Sequence, residues 1–268
     1  NDGTNVYAGL GNSDGDGEVW RWNGSAWTKL GGDSVGSGWT TAEGDIVMGL
    51  VYNNSTLFAG VSDAGGNTTM WSHNGTSWTR MGGGGVNNSW GFFNLQSVET
   101  MTVSNGYLYA GTGVTVAGNA LVWRFDGTSW NMVGGNGLNS SWAVNTYESV
   151  LSMVHYAGNL YVGLGTSAND AEVWRYNGST WTQVGGDSLN SGWTTNFEGV
   201  YALAADSTYL YAALGNSTTD AEVWRYNGTV WSKIGGDGIG SSWNTSYETA
   251  YSLGIYNGNL IAGIGNST

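Results

Sequence analysis

The chain has 268 residues, a formal net charge of −13, and a composition that is 40% hydrophobic and 13% aromatic. This apolar content is enough for a packed core and excludes a disordered chain. The acidic balance would repel a phosphate backbone, so we expect no nucleic-acid partner. The sequence contains no cysteine, which excludes disulfides, thiolate metal sites and cysteine catalysis.

Long apolar segments do not occur in the sequence. A membrane-spanning helix needs about 18 or more consecutive apolar residues, and a signal peptide needs a charged segment before an apolar one. We therefore expect neither membrane insertion nor a signal peptide within these residues.

A repeat of about 50 residues runs through the whole sequence, and each of its five copies carries three tryptophans. The first tryptophans of successive copies are 51, 52, 51 and 50 residues apart. The second follows seven residues later and the third twelve residues after that. A period of this size indicates a repeat architecture. The tryptophans are Trp20, Trp71, Trp123, Trp174 and Trp224, then Trp27, Trp78, Trp130, Trp181 and Trp231, then Trp39, Trp90, Trp142, Trp193 and Trp243.

Each copy contains four short segments rich in aromatic and β-branched residues, which we name strands A to D. In the copy that contains Trp224 they are residues 199–206, 209–215, 221–227 and 230–236. An Asn-Gly or Asp-Gly pair, which favours a tight hairpin turn, joins strands C and D in every copy. The pattern predicts an all-β fold, a five-bladed β-propeller of four-stranded antiparallel blades.

We expect one propeller domain over residues 1–268, with the ring closed by joining the N- and C-terminal strands. Two B strands, residues 5–11 and 259–265, compete for one place in such a ring. The surplus strand is displaced, or belongs to a longer chain, which we favour, or completes a neighbour's blade. The expected blades are residues 1–44 plus 245–268, 45–95, 96–147, 148–197 and 198–244.

The segment AEVWRYNGSTWTQVGG resembles a kelch-type blade, in which a Tyr and a Trp flank a hairpin. WNGSAWTKLG is similar to divergent bacterial propeller repeats of the form WNGSxWxxLG. The Gly-Gly pair follows strand D here, which differs from kelch repeats. The resemblance covers the whole chain and implies a propeller without implying an activity. A weaker likeness, of the fold alone, is to five-bladed lectins of the tachylectin type.

Catalysis requires unlike groups that converge, whereas a five-fold repeat presents the same group five times. The two histidines, His73 and His155, fall on different strands of the repeat, so we do not expect them to meet. The sequence has no zinc spacing, nucleophile elbow or phosphate loop. We therefore predict no enzyme activity, no catalytic residue, no metal site and no cofactor.

A polar position recurs at the start of strand A, and we call its five residues the channel ring. If strand A is innermost, these groups would surround one mouth of a central channel and raise one another's pKa or recruit a cation. Alternatively, each accepts hydrogen bonds from its own D-to-A connection. The ring residues are Asp45, Gln96, Glu148, Glu198 and Glu248.

The D-to-A connection carries small polar residues and ends in the third tryptophan. This combination suits a sugar, which offers an apolar face and hydroxyl groups, and repeated copies would add avidity. The alternative is that each tryptophan packs between neighbouring blades. The candidate ligand-binding residues are Trp39, Trp90, Trp142, Trp193 and Trp243, with Asp33, Asn136, Asp187 and Asp237.

We predict a non-catalytic module, extracellular or at the cell surface, that binds a carbohydrate or a surface receptor through these connections. The alternative is a building block of an extracellular fibre or appendage, which self-assembles through the surplus edge strand. The low charge content and twelve Asn-x-Ser/Thr sites suit an extracellular glycoprotein, although Asn-Gly turns also create such sites by chance.

Overall fold

The computed structural model describes residues 1–12, 15–63, 66–91, 97–113, 120–143, 147–166, 171–194, 196–216, 220–244 and 246–266. These residues form 21 strands and five helical turns of three residues each. Within them, no helix is long and apolar enough to cross a membrane. The prediction of an all-β fold built from short antiparallel sheets is confirmed.

The strands follow the repeat, and we number them in chain order. Those of the first half are β1 Val6–Leu10, β2 Glu18–Trp22, β3 Trp27–Gly31, β4 Ile46–Asn53, β5 Thr56–Ser62, β6 Thr69–His73, β7 Trp78–Gly82, β8 Ser97–Ser104, β9 Tyr107–Gly113, β10 Val122–Phe125 and β11 Trp130–Gly134. Those of the second half are β12 Ser149–Tyr156, β13 Asn159–Gly165, β14 Val173–Tyr176, β15 Trp181–Gly185, β16 Gly199–Ala205, β17 Leu210–Gly215, β18 Glu222–Tyr226, β19 Trp231–Gly235, β20 Thr249–Tyr256 and β21 Asn259–Gly265.

The chain divides into two compact units, Asn1–Thr115 with Val122–Met132 and Val116–Leu121 with Val133–Thr268. In the first unit, β1–β3 form a three-stranded antiparallel sheet and β4–β7 a four-stranded one. Strands β8, β9 and β10 continue as antiparallel neighbours. One residue pair, Gly11 with Ile46, links the first sheet to β4.

The second unit is also built from antiparallel strands that pair in chain order. Strands β12–β15 and β16–β19 form antiparallel meanders, and β20 and β21 form a hairpin. Consecutive sheets touch at one residue pair, Gly165 with Gly199 and then Gly215 with Thr249. A Cβ on Gly165 would lie 2.4 Å from the Cα of Gly199, so this approach requires glycine.

A β-bulge on strand D recurs in the repeats and prepares a contact with the next repeat. In the first sheet Val19 pairs with Gly31 and Trp20 with Lys29, so Leu30 is the extra residue on β3. The same register shift makes Met81, Val184 and Ile234 the extra residues of β7, β15 and β19. A bulge disrupts the ladder locally and leaves the extra residue unpaired.

The second tryptophan of the following repeat supplies a donor to the carbonyl at this position of strand D. Its indole Nε1–H donates to the carbonyl oxygen at an N···O distance of 2.7 or 2.8 Å in all four cases. We call this hydrogen bond the indole interlock, because it joins adjacent repeats within each unit. The pairs are Trp78 to Leu30, Trp130 to Met81, Trp181 to Val133, and Trp231 to Val184.

Replacing Trp181 by Phe should lower the free energy of unfolding by about 1–3 kcal/mol, because the buried Val133 carbonyl loses its donor while the aromatic ring is largely kept. Urea denaturation measures the change. Trp22→Phe is the matched control, since Trp22 is only half-buried and the third repeat carries Phe125 at that position; its effect should stay within about 0.5 kcal/mol. Equal losses in the two variants would contradict the interlock.

Candidate functional site

The D-to-A connections form the same turn in every repeat. The first residue of each turn is either an exposed polar residue or a glycine. Its backbone lies in the left-handed region, with φ between 52° and 59°. Asp and Asn tolerate this conformation better than most side chains, and glycine adopts it without strain. Backbone geometry therefore accounts for the polar residues proposed to bind ligand here, Asp33, Asn136, Asp187 and Asp237, and for Gly84 at the same position.

The third tryptophan of each repeat points inward from this connection. Its indole Nε1–H donates to a backbone carbonyl just before strand C of the same repeat, over 2.6–2.8 Å. Its ring meets the second tryptophan of the next repeat edge to face, with ring centroids 5.1–5.6 Å apart in the four pairs seen. The pairs are Trp39 with Trp78, Trp90 with Trp130, Trp142 with Trp181, and Trp193 with Trp231.

These contacts leave four of the five candidate tryptophans, Trp39, Trp90, Trp142 and Trp193, buried with at most 4% exposure. A sugar stacks on an open aromatic face, which these rings do not offer. A carbohydrate site at these residues stays a prediction that the geometry does not favour. The contacts of the four rings agree with the alternative, in which each tryptophan packs between neighbouring blades.

Trp243 differs from the other four because it is only half-buried. It borders a pocket of about 280 Å³ whose wall also includes Val223, Ile234, Leu260 and Ala262. This volume exceeds the voids that are common in close-packed protein interiors. The pocket lies beside Trp243 at the place where the second tryptophan of the next repeat lies beside Trp39 and Trp193.

A cluster of two carboxylates and one lysine occurs at the start of strand C in the first and fifth repeats. Lys29 bonds to Glu18 and Asp33, and Lys233 bonds to Glu222 and Asp237. The hydrogen bond from Lys29 lowers the pKa of Glu18. Glu18 and Glu222 also each accept the indole Nε1–H of the tryptophan two residues later, over 2.6 Å.

The fourth repeat keeps both carboxylates of this cluster but carries Gln183 in place of the lysine. Glu172 is 5% exposed and accepts the indole Nε1–H of Trp174 over 2.6 Å. Burial raises the pKa of Glu172 to about 7, and the nearby Asp187 adds to the rise. The sequence analysis did not single out Glu172 or Glu222. The spacing Glu-x-Trp, with Lys or Gln eleven residues after the Glu, is the signal that marks them.

The carboxylates of Asp220, Glu222 and Asp237 lie within 4.8 Å of one another, close enough to share a metal ion. The ammonium group of Lys233 bonds to two of them and already supplies a positive charge. The arrangement is therefore an ion-pair cluster. The absence of a metal site stays a prediction.

The channel-ring residues make local contacts. Asp45, in the first unit, accepts the Gly15 N–H on Oδ1 over 3.1 Å, and Glu148, in the second, accepts the Thr166 hydroxyl. Glu198 and Glu248 bond through their backbone N–H groups to Gly215 and Gly265. Gln96 lies outside the described residues. These contacts go to the end of strand B or the segment after it and not to the D-to-A connection, so the ring of facing carboxylates and its alternative both stay predictions.

The two histidines occupy separate units. His73 lies on β6 and accepts the Gly75 N–H on Nδ1 over 3.2 Å, and burial lowers its pKa. His155 lies on β12 in the second unit.

No family model matches this chain, and the search of curated proteins finds no match. The similarity to kelch-type and tachylectin-type repeats therefore stays a resemblance. The function has to be inferred from the geometry.

The pair formed by Glu172 and Asp187 should make stability fall as the pH rises. Between about pH 4.5 and 7 the unfolded chain has released the Glu172 proton and the folded chain retains it, so the free energy of unfolding decreases. The contribution is up to about 1.4 kcal/mol per pH unit. Gln183→Lys should flatten this slope and stabilise the protein at pH 8, because it restores the cation that pairs both carboxylates in the last repeat. Urea denaturation at several pH values measures it.

Lys233→Gln is the matched variant in the opposite direction. It removes the cation that opposes the burial-raised pKa of Glu222 and should make the downward slope steeper. Parallel pH profiles for the wild type and both variants would show that the lysine position does not control these carboxyl groups.

Proposed function

We propose that this chain folds as a five-bladed β-propeller and serves as a non-catalytic structural module whose end repeats engage through one more indole interlock. The observation that carries the proposal is an exposed indole whose N–H has no acceptor among the described residues. Trp27, the second tryptophan of the first repeat, is 49% exposed. Its counterparts Trp78, Trp130, Trp181 and Trp231 are at most 3% exposed.

The matching acceptor position lies in the second unit. Ile234 is the bulge residue of β19, as Leu30 is of β3, and it borders the pocket beside Trp243. At the equivalent place beside Trp193, the ring of Trp231 fills the space. The pocket therefore offers what an incoming second tryptophan uses elsewhere, an aromatic wall and a bulge residue. Trp27 has the side chain that fits it.

The same contact can close one chain into a ring or join one copy to the next. We favour closure of the ring, in which the terminal strands share the fifth blade, because two ends of one chain meet at a higher effective concentration than two copies do. Strands β1 and β21 then compete for β20, and the strand left over is an edge available for pairing. Assembly into an extracellular fibre through that edge remains the second form of this proposal.

Trp27→Ala tests the interlock. If Trp27 enters the pocket, truncation should cost about 3–5 kcal/mol of unfolding free energy, as for a buried aromatic residue. Ser242→Arg, which fills the pocket at a position where the fourth repeat has Gly192, should give a similar loss. Ser25→Arg, in the exposed turn before Trp27, is the control and should change little.

Sedimentation velocity separates the two forms. A wild-type monomer that loses stability in both variants supports the closed ring. Wild-type oligomers that both variants dissociate support assembly between copies. If Trp27→Ala and Ser242→Arg alter neither stability nor mass, the proposal is wrong.

A further inference from the structure

A small, partly open cavity lies in the first unit between the β1–β3 sheet and the β4–β7 sheet. Its volume is about 70 Å³, and its wall includes Tyr7, Arg21, Tyr52, Ser55 and His73. The space is larger than one water molecule and far smaller than a drug-sized ligand site. It can hold a molecule of a few heavy atoms.

Arg21 brings a positive charge to this cavity. Its Nε atom is buried and has no hydrogen-bond partner among the described residues. Tyr7, opposite Arg21 in the β1–β2 ladder, donates its hydroxyl to Asp2 over 2.8 Å. The Asp2 carboxylate also accepts from Thr4 and Asn5. A buried guanidinium N–H without an acceptor is costly, so this position favours an added acceptor.

Later repeats place the corresponding arginine against an aromatic ring. The guanidinium of Arg124 lies 4.7 Å from the ring centroid of Tyr107, and that of Arg225 lies 4.4 Å from the ring centroid of Tyr209. At the position of these tyrosines the first repeat has Asn5, which offers no aromatic ring. Arg21, like Arg175 with Asn159 at the equivalent place, therefore lacks the aromatic partner that Arg124 and Arg225 have.

His73, which lines the cavity, is smaller than the tyrosine that two later repeats carry at its position. Tyr226 and Tyr176 occupy this place in later repeats and stack on the following tryptophan with centroids 4.9 and 4.8 Å apart. His73 contacts Trp78 at the same 4.8 Å but lacks the phenol group. Since Nδ1 of His73 accepts the Gly75 N–H, the ring proton of the neutral imidazole lies on Nε2.

We propose that this cavity binds a small planar anion, of the size of formate or nitrate, on the guanidinium of Arg21. A guanidinium matches a planar oxyanion through parallel N–H···O bonds. Tyr52, Ser55 and His73 also line the cavity and carry further hydrogen-bond donors, and no carboxylate lies among the residues that line it. The site is thus a cationic pocket in a protein of net charge −13.

Thermal unfolding in sodium formate, compared with sodium gluconate at equal ionic strength, tests the site. Gluconate is too large for the cavity, so it controls for general salt effects. Formate at ten times its dissociation constant should raise the folding equilibrium constant about tenfold. Saturation-transfer NMR on ¹³C-formate gives a direct readout of binding.

Two variants should abolish the difference between formate and gluconate. Arg21→Gln removes the charge, and His73→Tyr fills the cavity with the residue that two later repeats carry there. Arg225→Gln, whose arginine lies over Tyr209, should retain the wild-type response. If Arg21→Gln does not fold, His73→Tyr decides. Equal stability of the wild type in the two salts, or a formate effect that survives in His73→Tyr, would overturn the proposal.

Discussion

A carbonyl that a β-bulge leaves outside the ladder determines how these repeats fit together. Buried backbone acceptors without a donor cost free energy, and the extra residue of strand D would be one in every copy. The indole of the next repeat supplies the donor and at the same time presses a large aromatic surface against the preceding sheet. One side chain therefore satisfies a polar group and fills the core, and its position fixes the spacing of neighbouring sheets.

The third tryptophan completes this arrangement. By bonding to the carbonyl before strand C, Trp193 holds the D-to-A connection of its own repeat, and its ring contacts Trp231 of the next. Each sheet thus depends mainly on the sheet before it and the sheet after it. Such nearest-neighbour dependence is typical of repeat proteins, whose stability is close to a sum of repeat and interface contributions. Two tryptophans are not covered by a neighbouring repeat in this way: Trp27 is exposed and Trp243 is half-buried.

The strands could be predicted from the sequence because aromatic and β-branched runs alternate with Asn-Gly turns, and both signals are local. The role of the third tryptophans could not, because a ring beside short polar residues fits a sugar platform as well as a packed turn. The left-handed φ of Asp33 and Asp187 and the burial of the rings favour the packed turn, and both follow from chain geometry that composition does not record. The bulge at Leu30 was also hidden, since the residue pattern of β3 is the same with or without it.

Substitutions within a repeated framework then create individual properties. His73 lines a cavity at a position where two later repeats carry tyrosine, and Gln183 stands where the first and fifth repeats carry the lysine that pairs two carboxylates. Such changes leave the interlock intact, because every repeat of about 50 residues carries both of its parts. These are a tryptophan placed to donate to the preceding repeat and a strand D carbonyl placed to accept from the following one. Gene duplication of one unit would therefore add a compatible joint on each side, so an array of this kind can lengthen or shorten without any new interface having to evolve.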